Sequence, residues 1–199
     1  MLYNRHNLAV SKIASLDTYK PVLSSVFFSK EKTVATDSFR LLEVSVDTSV
    51  KAEDFPQVQG NSAMHGCKPF LAEARQVAEI KIPKGKGLLP ITQYAALKHV
   101  DDKHVEFLTT DMSVASVMSA RRIDDTFPSY EQIFPQGKAV AKVTINGALL
   151  AEMLKIMSEM TPQGTVTLYL YGGELPLELR AESTTQKARG LLMPIRDNK

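Results

Sequence analysis

Hydrophobic and polar positions alternate most clearly in the last third of the chain, where they predict strands behind a helix. Asn146 suits the N-cap of a helix whose apolar residues fall on one side, and Pro162 and Gly164 end that helix. Gly172 and Gly173 turn the chain between two alternating runs. With a strand ahead of the helix, the predicted order is strand, helix, strand, strand, strand. The predicted strands are 139–145, 165–171, 174–182 and 188–195, and the apolar helix positions are Leu149, Leu150, Met153, Leu154 and Met157.

The same order is predicted twice more upstream, and we call each such set of elements a module. The first module has a helical pattern with Leu8, Ile13 and Leu16 on one side. Three repeats of one order along the chain are typical of a repeat architecture. The first module has predicted strands at 1–3, 22–29, 32–37 and 40–46, and the second has a strand at 78–83, a helix at 91–100 and strands at 104–110 and 113–120.

The segment 47–76 joins the first two modules. It mixes glycine, proline and polar residues with a short helical pattern at 70–76, so we interpret it as an extended connection or insertion. The modules predict an α+β fold with helices on one face of antiparallel sheets. We expect a first domain of two modules over 1–135 and a third module over 136–199.

Composition narrows the class of protein. The chain has 199 residues, 44% of them hydrophobic and 23% charged, which suits one large or two small globular domains. It has no apolar stretch of membrane-spanning length and no secretory leader pattern, so we expect a cytoplasmic protein without membrane contact. The single cysteine excludes an intrachain disulfide and a cysteine metal cluster, and no cofactor is indicated. A net charge of +2 leaves nucleic-acid binding open.

His65 and Cys67, in "MHGCKPF", are the nearest candidates for a catalytic pair, because a thiolate beside an imidazole is a nucleophile. No third orienting group is indicated, and chance co-occurrence is the better interpretation. The "PKGKG" run at 83–87 lacks the Gly-Lys-Ser/Thr ending of a phosphate-binding loop. Asp124 and Asp125 are adjacent acids of the kind that turns commonly contain. We therefore expect no metal site and no enzyme.

Three stretches resemble a known family. They are "YKPVLSSVFFSKEKTVATDSFRLLEVSV" (19–46), "RRIDDTFPSYEQIFP" (121–135) and "ARGLLMPIR" (188–196). In this order they are similar to segments of the bacterial-type DNA polymerase sliding clamp, the DNA polymerase III beta subunit. The resemblance implies the DNA clamp fold and a ring that encircles duplex DNA without reading its sequence and tethers a polymerase. It also implies a clamp loader and no catalysis.

The chain is shorter than the clamps it resembles, which have three domains of two modules each. A closed ring of this family holds about twelve modules, so three modules per chain imply four chains. A compressed fourth module within 47–90 would imply three chains. Both homo-oligomers stay open at this stage.

The resemblance also implies a surface pocket for short client peptides. This chain departs from the family at Ser38 and Phe39, where Gly-His is usual, and at Gln132, where a basic residue is usual. For any single leucine of the set, a place in the core is the simpler alternative. The implied pocket residues are Leu23, Thr36, Ser38, Phe39, Arg40, Leu41, Pro128, Gln132, Ile133, Leu177, Leu191, Met193, Pro194, Ile195 and Arg196.

For DNA, the candidates are cations on the polar faces of the predicted helices and on nearby loops. Glu152 and Glu159 weaken this hypothesis for the third helix, because they repel phosphate. The candidates are Arg5, Lys12, Lys84, Lys86, Lys98, Lys103 and Lys155.

The loop at 121–135 is unusually apolar, and we expect Phe127 and Phe134 to be buried. Two other functions remain open. One is a truncated clamp paralogue that binds client peptides without encircling DNA. The other is a small enzyme that uses His65 and Cys67.

Overall fold

The computed structural model describes residues 1–84 and 89–195 and divides the chain into two compact units. Unit 1 is Met1–Ser129 and unit 2 is Tyr130–Lys199. The division lies a few residues ahead of the boundary expected at 135/136. Unit 1 contains the first two modules, and unit 2 contains the third.

The first module has the predicted order of elements. Leu16, which was expected on the helix, lies beyond its end and is exposed. The elements are β1 (Leu2–Asn4), α1 (Arg5–Ala9) with a 3-10 turn (Val10–Ile13), β2 (Ser25–Phe28), β3 (Lys32–Thr36) and β4 (Leu41–Ser45).

The second module has the order strand, helix, strand, strand, strand, which is one strand more than the pattern located, and two of the predicted elements were misplaced. The predicted helix at 91–100 is wrong, because that region is a 3-10 turn followed by a strand. The predicted strand at 78–83 is also wrong, because the strand comes earlier, at 70–73, and a helix follows it. The elements are β5 (Phe70–Glu73), α2 (Ala74–Ala78), β6 (Tyr94–Val100), β7 (His104–Thr110) and β8 (Ala115–Ile123).

The eight strands of unit 1 form one antiparallel sheet in the order β1-β6-β7-β8-β5-β2-β3-β4. The first strand of each module pairs with the second strand of the other module: β1 pairs with β6, and β5 pairs with β2. The register is the same in both pairs. The N-cap residue of each helix, Asn4 or Glu73, lies opposite the first residue of the partner strand, Tyr94 or Ser25. The two modules of unit 1 therefore complete each other by reciprocal exchange.

Aromatic side chains from both modules form the centre of the unit 1 core. The ring of Phe28 lies 4.9 Å from that of Tyr3, 5.1 Å from that of Phe70 and 5.4 Å from that of Phe107. Tyr3 and Phe70 come from the two exchanged strands, so the exchange and the core depend on each other. Truncation of a buried phenylalanine such as Phe28 typically costs about 3–5 kcal/mol.

The connection between the two modules packs onto unit 1. Phe55 and Ala63 are buried beside Tyr94 and Leu108. The Tyr94 hydroxyl donates a hydrogen bond of 2.8 Å to the Asp47 carboxylate. The connection therefore covers part of the sheet, and its last residues belong to β5 and α2 of the second module.

Unit 2 contains α3 (Gly147–Ser158), β9 (Thr167–Tyr169), β10 (Leu177–Glu182) and β11 (Lys187–Leu192). The sheet order is β11-β10-β9. Asn146 caps α3 as predicted, since its side chain accepts hydrogen bonds from the amides of Ala148 and Leu149. The strand predicted at 139–145 is not formed. The core of unit 2 consists of Met157, Leu177, Leu179, Ala181 and Leu192.

Among the described residues, no helix has the length and apolar character needed to cross a membrane.

Candidate nucleic-acid interface

Helix α1 is fixed on unit 1 by polar contacts at its start. The side chains of Asn4 and Asn7 each accept a hydrogen bond from the other residue's backbone amide, which forms a capping box. The buried Asn7 amide group also donates to the Thr33 hydroxyl and to the backbone oxygens of Val44 and Ser45, at 3.1–3.2 Å. These bonds hold the helix, and with it Arg5, in one orientation on the sheet.

The second helix leads into an extended segment that returns past α1. The amide of Ile80 donates to the Val77 oxygen, which ends α2. Val77 and Ile80 are buried in the core, and Ile82 packs against it. Because Ile80 and Ile82 both point toward apolar neighbours, the intervening Lys81 is exposed, and Lys84, after Pro83, is exposed as well.

A cleft of about 580 Å³ lies between α1 and the segment that follows α2. Its apolar lining includes Leu8 and Val77. The described residues that line it include no carboxylate. Its cationic lining residues are Arg5, Lys12, Lys81 and Lys84.

The cations of this basic cleft are free to act on a ligand. Arg5 donates to the Gln93 side chain at 3.3 Å, which orients its guanidinium without neutralising it. In the described part of the chain, Lys12, Lys81 and Lys84 form no ion pair. Clustered cations without neighbouring acids create a positive potential that attracts phosphate groups.

The structure brings together three of the predicted DNA candidates, Arg5, Lys12 and Lys84. It adds Lys81, which sequence reasoning missed because 78–83 was interpreted as a strand of the sheet. The spacing of lysines in "KIPK" at 81–84 is the signal that was available. Lys86 lies outside the described residues.

Lys98 and Lys103 are not on a helix, which corrects the prediction. Lys98 lies on β6 and forms an ion pair of 3.1 Å with Glu106 on β7. Lys103 lies in the turn between these strands, beside a polar surface that also carries Asp102, Asp124 and other acids. Their charges are therefore offset locally.

Lys155 is on α3 as predicted, in unit 2. Glu152 lies one turn before it and Glu159 one turn after it on the sequence. The Lys155 side chain is exposed, and among the described residues it belongs to no cluster of cations like the basic cleft of unit 1.

The predicted pocket residues of unit 1 are concentrated in the turn between β3 and β4. Thr36 donates to the Arg40 oxygen at 2.8 Å, and Asp37 accepts from the amides of Phe39 and Arg40. The bond from the Phe39 amide, then that from the Arg40 guanidinium, lowers the pKa of the Asp37 carboxyl. Ser38 has a φ of 80°, and Phe39 is almost fully exposed.

Leu41 follows this turn at the start of β4, opposite Thr36. Leu23 lies ahead of β2, where its backbone oxygen accepts from the Ser15 amide. Pro128 is exposed next to Phe127, whose ring lies 5.4 Å from that of Phe27.

In unit 2, Gln132 and Ile133 lie in a 3-10 turn (Glu131–Ile133) and are exposed. Leu177 is buried in the core of this unit, at 3% exposure, which favours the simpler alternative for this leucine. Pro194 is half-buried, and Arg196 lies outside the described residues. The apolar side chains of Leu191, Met193 and Ile195 are exposed.

The expectation for the loop aromatics holds only in part. Phe127 is partly buried against Phe27, whereas Phe134 is 47% exposed and packs on the edge of Tyr130. Tyr130 is the buried aromatic of this pair.

A charged cluster on the sheet of unit 2 was not predicted. The Glu178 carboxylate is buried, and it accepts from Arg180 at 2.7 Å, from the Tyr171 hydroxyl at 2.5 Å and from Arg189. The Arg180 guanidinium also lies over the Tyr169 ring at 4.5 Å. Alternation on β10 places Glu178 on the face opposite the core, where the sequence alone predicts an exposed acid.

Cys67 does not have the properties of a nucleophile. Its side chain is half-buried, and burial raises the pKa of its thiol, which disfavours the reactive thiolate. The thiol lies 3.7 Å from the sulfur of Met1. No group of three or more potential metal-binding side chains occurs in the described ranges 1–84 and 89–195.

The paired modules of unit 1, with helices on one side of an antiparallel sheet, are the DNA clamp fold. No protein-family model matches the sequence, and no curated protein matches it either. Solved structures do match, among them DNA polymerase III beta sliding clamps.

Three of these structures illustrate the similarity. The beta subunit of the Streptococcus pyogenes DNA polymerase has a TM-score of 0.67 and 15% identity, with 98% of this chain and 50% of that chain covered. The Pseudomonas aeruginosa sliding clamp bound to griselimycin has a TM-score of 0.63, 15% identity, and 98% and 50% coverage. DNA polymerase III subunit beta of Borrelia burgdorferi, in complex with a natural product, has a TM-score of 0.61, 16% identity, and 94% and 44% coverage.

The chain therefore has the fold of DNA polymerase III beta sliding clamps and spans about half the length of the clamps it matches. The fold class predicted from the sequence and the resemblance to this group are confirmed.

Proposed function

We propose that this chain is a cytoplasmic DNA sliding clamp that assembles as a homo-oligomeric ring around duplex DNA and tethers a DNA polymerase. Its role is topological, so it needs neither a catalytic residue nor a cofactor. A clamp loader would open the ring. The clamp fold supports this proposal, and the basic cleft of unit 1 is the observation that carries it.

The basic cleft suits a duplex that must slide. Its cations come from α1, from the 3-10 turn after it and from the extended segment after α2, and the described residues that line the cleft include no acid. Long lysine side chains contact phosphates without reading bases, and they exchange one phosphate for the next at little cost. An apolar lining between the cations offers no hydrogen bonds that would fix one sequence in place.

Replacement of a cleft lysine tests the proposed interface. We expect Lys12→Gln or Lys81→Gln to weaken binding of a duplex oligonucleotide and to reduce the dependence of log Kd on log salt by about one for each lost phosphate contact. Fluorescence anisotropy over a salt series measures both quantities. Lys98→Gln is the matched control, since it removes the same charge from a lysine paired with Glu106 on the sheet.

Equal effects of Lys12→Gln and Lys98→Gln would mean that the cleft is not the interface. Binding that differs between unrelated duplex sequences of one length would also contradict it, because cation-to-phosphate contacts carry no sequence information.

We further propose that the pocket residues in each unit bind client peptides. Supporting features are the turn at 36–41 in unit 1, which is exposed at 38–40, and the exposed apolar side chains of Leu191, Met193 and Ile195 in unit 2. Extended peptides bind such surfaces through a few apolar anchors.

A peptide copying the C-terminal tail of a bacterial replicative polymerase tests the client site by calorimetry. We expect Leu41→Ala and Met193→Ala each to cost about 1 kcal/mol or more of binding free energy. Leu42→Ala is the control for the first, because Leu42 neighbours Leu41 on β4, where successive side chains point to opposite faces of the sheet. Met112→Ala, at an exposed methionine of unit 1, is the control for the second. Losses of equal size in the controls would remove the proposed client site.

A further inference from the structure

The two modules of unit 1 show what a complete module needs. Each one receives the first strand of the other on the free edge of its second strand, and the two helices α1 and α2 are in contact. The exchanged strands are buried as a result: Leu2 and Tyr3 on β1, and Phe70 and Leu71 on β5. The strands that receive them, β6 and β2, are buried along most of their length.

The third module has the same elements but lacks these contacts. β9 occupies the place of β2 and β6, yet it is the edge of its sheet, and all three of its residues are exposed. The segment 139–145 precedes α3 as β1 precedes α1, yet it is not a strand, and Val140 is fully exposed. On α3, Leu149 and Ile156 are exposed apolar side chains.

We propose that a second copy of this chain completes the third module by the same reciprocal exchange. The segment 139–145 of each copy becomes a strand on the free edge of β9 of the other, and the two α3 helices pack together. This inference goes beyond the proposed function and does not depend on DNA binding.

The exchange in unit 1 fixes the register of the proposed pairing. In both modules the N-cap residue lies opposite the first residue of the receiving strand. The same rule places Asn146 opposite the partner's Thr167, and Thr144 opposite the partner's Tyr169. The pairing is antiparallel, as it is for β1 with β6 and β5 with β2.

One backbone contact of the segment 139–145 is made within its own module. The Thr144 oxygen accepts a hydrogen bond of 2.8 Å from the Ile195 amide, just beyond β11. In the second module, β5 makes the corresponding contact with the end of β8, where Ala72 pairs with Arg122, and uses its other edge for β2. In unit 2 the segment before α3 thus contacts the end of its own module, as β5 does. The contact with the second strand of another module, which β5 makes with β2, is missing.

The exposed apolar side chains of α3 can pack against a copy of the same helix. Two helices related by a twofold axis near Met153 run antiparallel, and Leu149 then faces the partner's Ile156. Each Glu152 lies next to the axis, near both the partner's Glu152 and the partner's Lys155. The apolar pairs are therefore the contacts that favour this packing.

A second copy fits better than a bound peptide. The third module exposes both a donor segment and an acceptor edge, together with an apolar helix face. A peptide added to β9 would satisfy only the acceptor edge. A copy of the same module satisfies all three at once.

The mass of the full chain in solution, without DNA, tests the exchange. We expect light scattering at micromolar concentration to give multiples of two chains. Ile156→Glu should raise the dimer dissociation constant at least about tenfold, because it places an acid in the helix contact. The matched control is Ile133→Glu, an isoleucine of the same unit with 71% exposure against 67% for Ile156, and it should leave the dimer intact. A monomer at all concentrations, or equal effects of the two variants, would overturn the proposal.

Cross-linking tests the register independently of the mass. All proteins carry Cys67→Ser, and one carries Thr144→Cys while the other carries Tyr169→Cys. Opposed residues of antiparallel strands lie about 4.5–5.5 Å apart at Cα, within the range of a disulfide. Oxidation of the mixture should give a covalent dimer of one chain of each kind, and neither protein alone should give it.

Thr144→Cys mixed with Thr167→Cys is the register control. These residues would be diagonal neighbours about 7–8 Å apart, beyond disulfide range. No covalent dimer from the first mixture, or equal yields from both mixtures, would overturn the predicted pairing. If the unchanged chain forms the dimer but does not bind duplex DNA, the proposed function is contradicted and the exchange is not.

Discussion

The buried carboxylate of Glu178 holds together a charged cluster on the sheet of unit 2. Its carboxylate is buried on the outer face of β10, beneath two arginines that neighbour each other on β10 and β11. The hydrogen bond from Arg180, then those from Tyr171 and Arg189, lowers its pKa from 4.5 to about 2. The carboxylate thus joins two cations that would otherwise repel.

This shift predicts an acid-dependent loss of stability. Because the pKa is lower in the folded state, ionised Glu178 stabilises the fold above pH 4.5, and this contribution disappears as the pH falls from 4.5 toward 2. We expect Glu178→Gln to lower the melting temperature at pH 7 and to flatten this part of the profile. Thermal unfolding over a pH series measures both effects.

Glu182→Gln is the matched control for Glu178. Glu182 lies on the same strand and face, and its pair with Lys187 is largely exposed. Exposed pairs contribute little, so its profile should follow that of the unchanged chain. If both variants show the same profile, the buried cluster does not cause the acid dependence.

At the scale of elements, patterns of alternation predicted some strands well and one strand poorly. The hairpin strands at 32–36 and 41–45 are short runs that mix polar with apolar residues, and they were recognised. β6 was interpreted as a helix because Tyr94, Ala95, Ala96 and Leu97 are consecutive apolar residues. They are buried on both faces, because Ala95 and Leu97 pack in the core around Phe28 while Tyr94 and Ala96 pack with Phe55 of the connection. A strand buried on both faces has no period of two to reveal it.

The sequence predicted only some of the cations of the basic cleft. Arg5 and Lys12 follow from the amphipathic pattern of the first helix, which the sequence does show. Lys81 depends on where α2 ends and on the path of the chain afterwards. Ile80 and Ile82 alternate like strand residues, but they pack against the core from an extended segment that joins no sheet. Only the tertiary structure decides whether such a run becomes a strand of a sheet or an extended segment outside it.

Two glycines of unit 2, one in α3 and one in the turn after β9, should respond in opposite ways to alanine. Nothing lies within 4 Å of the position that a Cβ would take at Gly147, the first residue of α3. We expect Gly147→Ala to raise the free energy of unfolding by about 0.4–1 kcal/mol, because it reduces the freedom of the unfolded chain. A Cβ at Gly173 would lie 2.9 Å from the backbone oxygen of Lys142.

Gly173→Ala should therefore destabilise by about 1–3 kcal/mol, the usual cost of overpacking. Urea denaturation of the full chain measures both changes. A stabilising Gly173→Ala would mean that the segment at 139–145 does not pass close to the turn after β9.

At the scale of the whole molecule, the number of modules links the fold to the proposed ring. Unit 1 is a complete pair of modules, and unit 2 is a single module with an open edge. The proposed exchange between two copies of unit 2 would give six modules per dimer, and two dimers would give about twelve, the number that the resemblance to sliding clamps implies for a closed ring. The four-chain alternative expected from the sequence is the one that the exchange supports.

Encirclement of DNA is the central claim, and retention on circular DNA tests it most directly. The protein is assembled on a nicked circular duplex at low salt, shifted to high salt and separated from free protein by gel filtration, with and without cutting of the circle. High salt removes binding that depends on phosphate contacts, whereas a ring leaves DNA only over an end. We predict that the protein stays on the intact circle and is lost once the circle is cut. Equal retention on both forms, or none on the circle, would contradict encirclement.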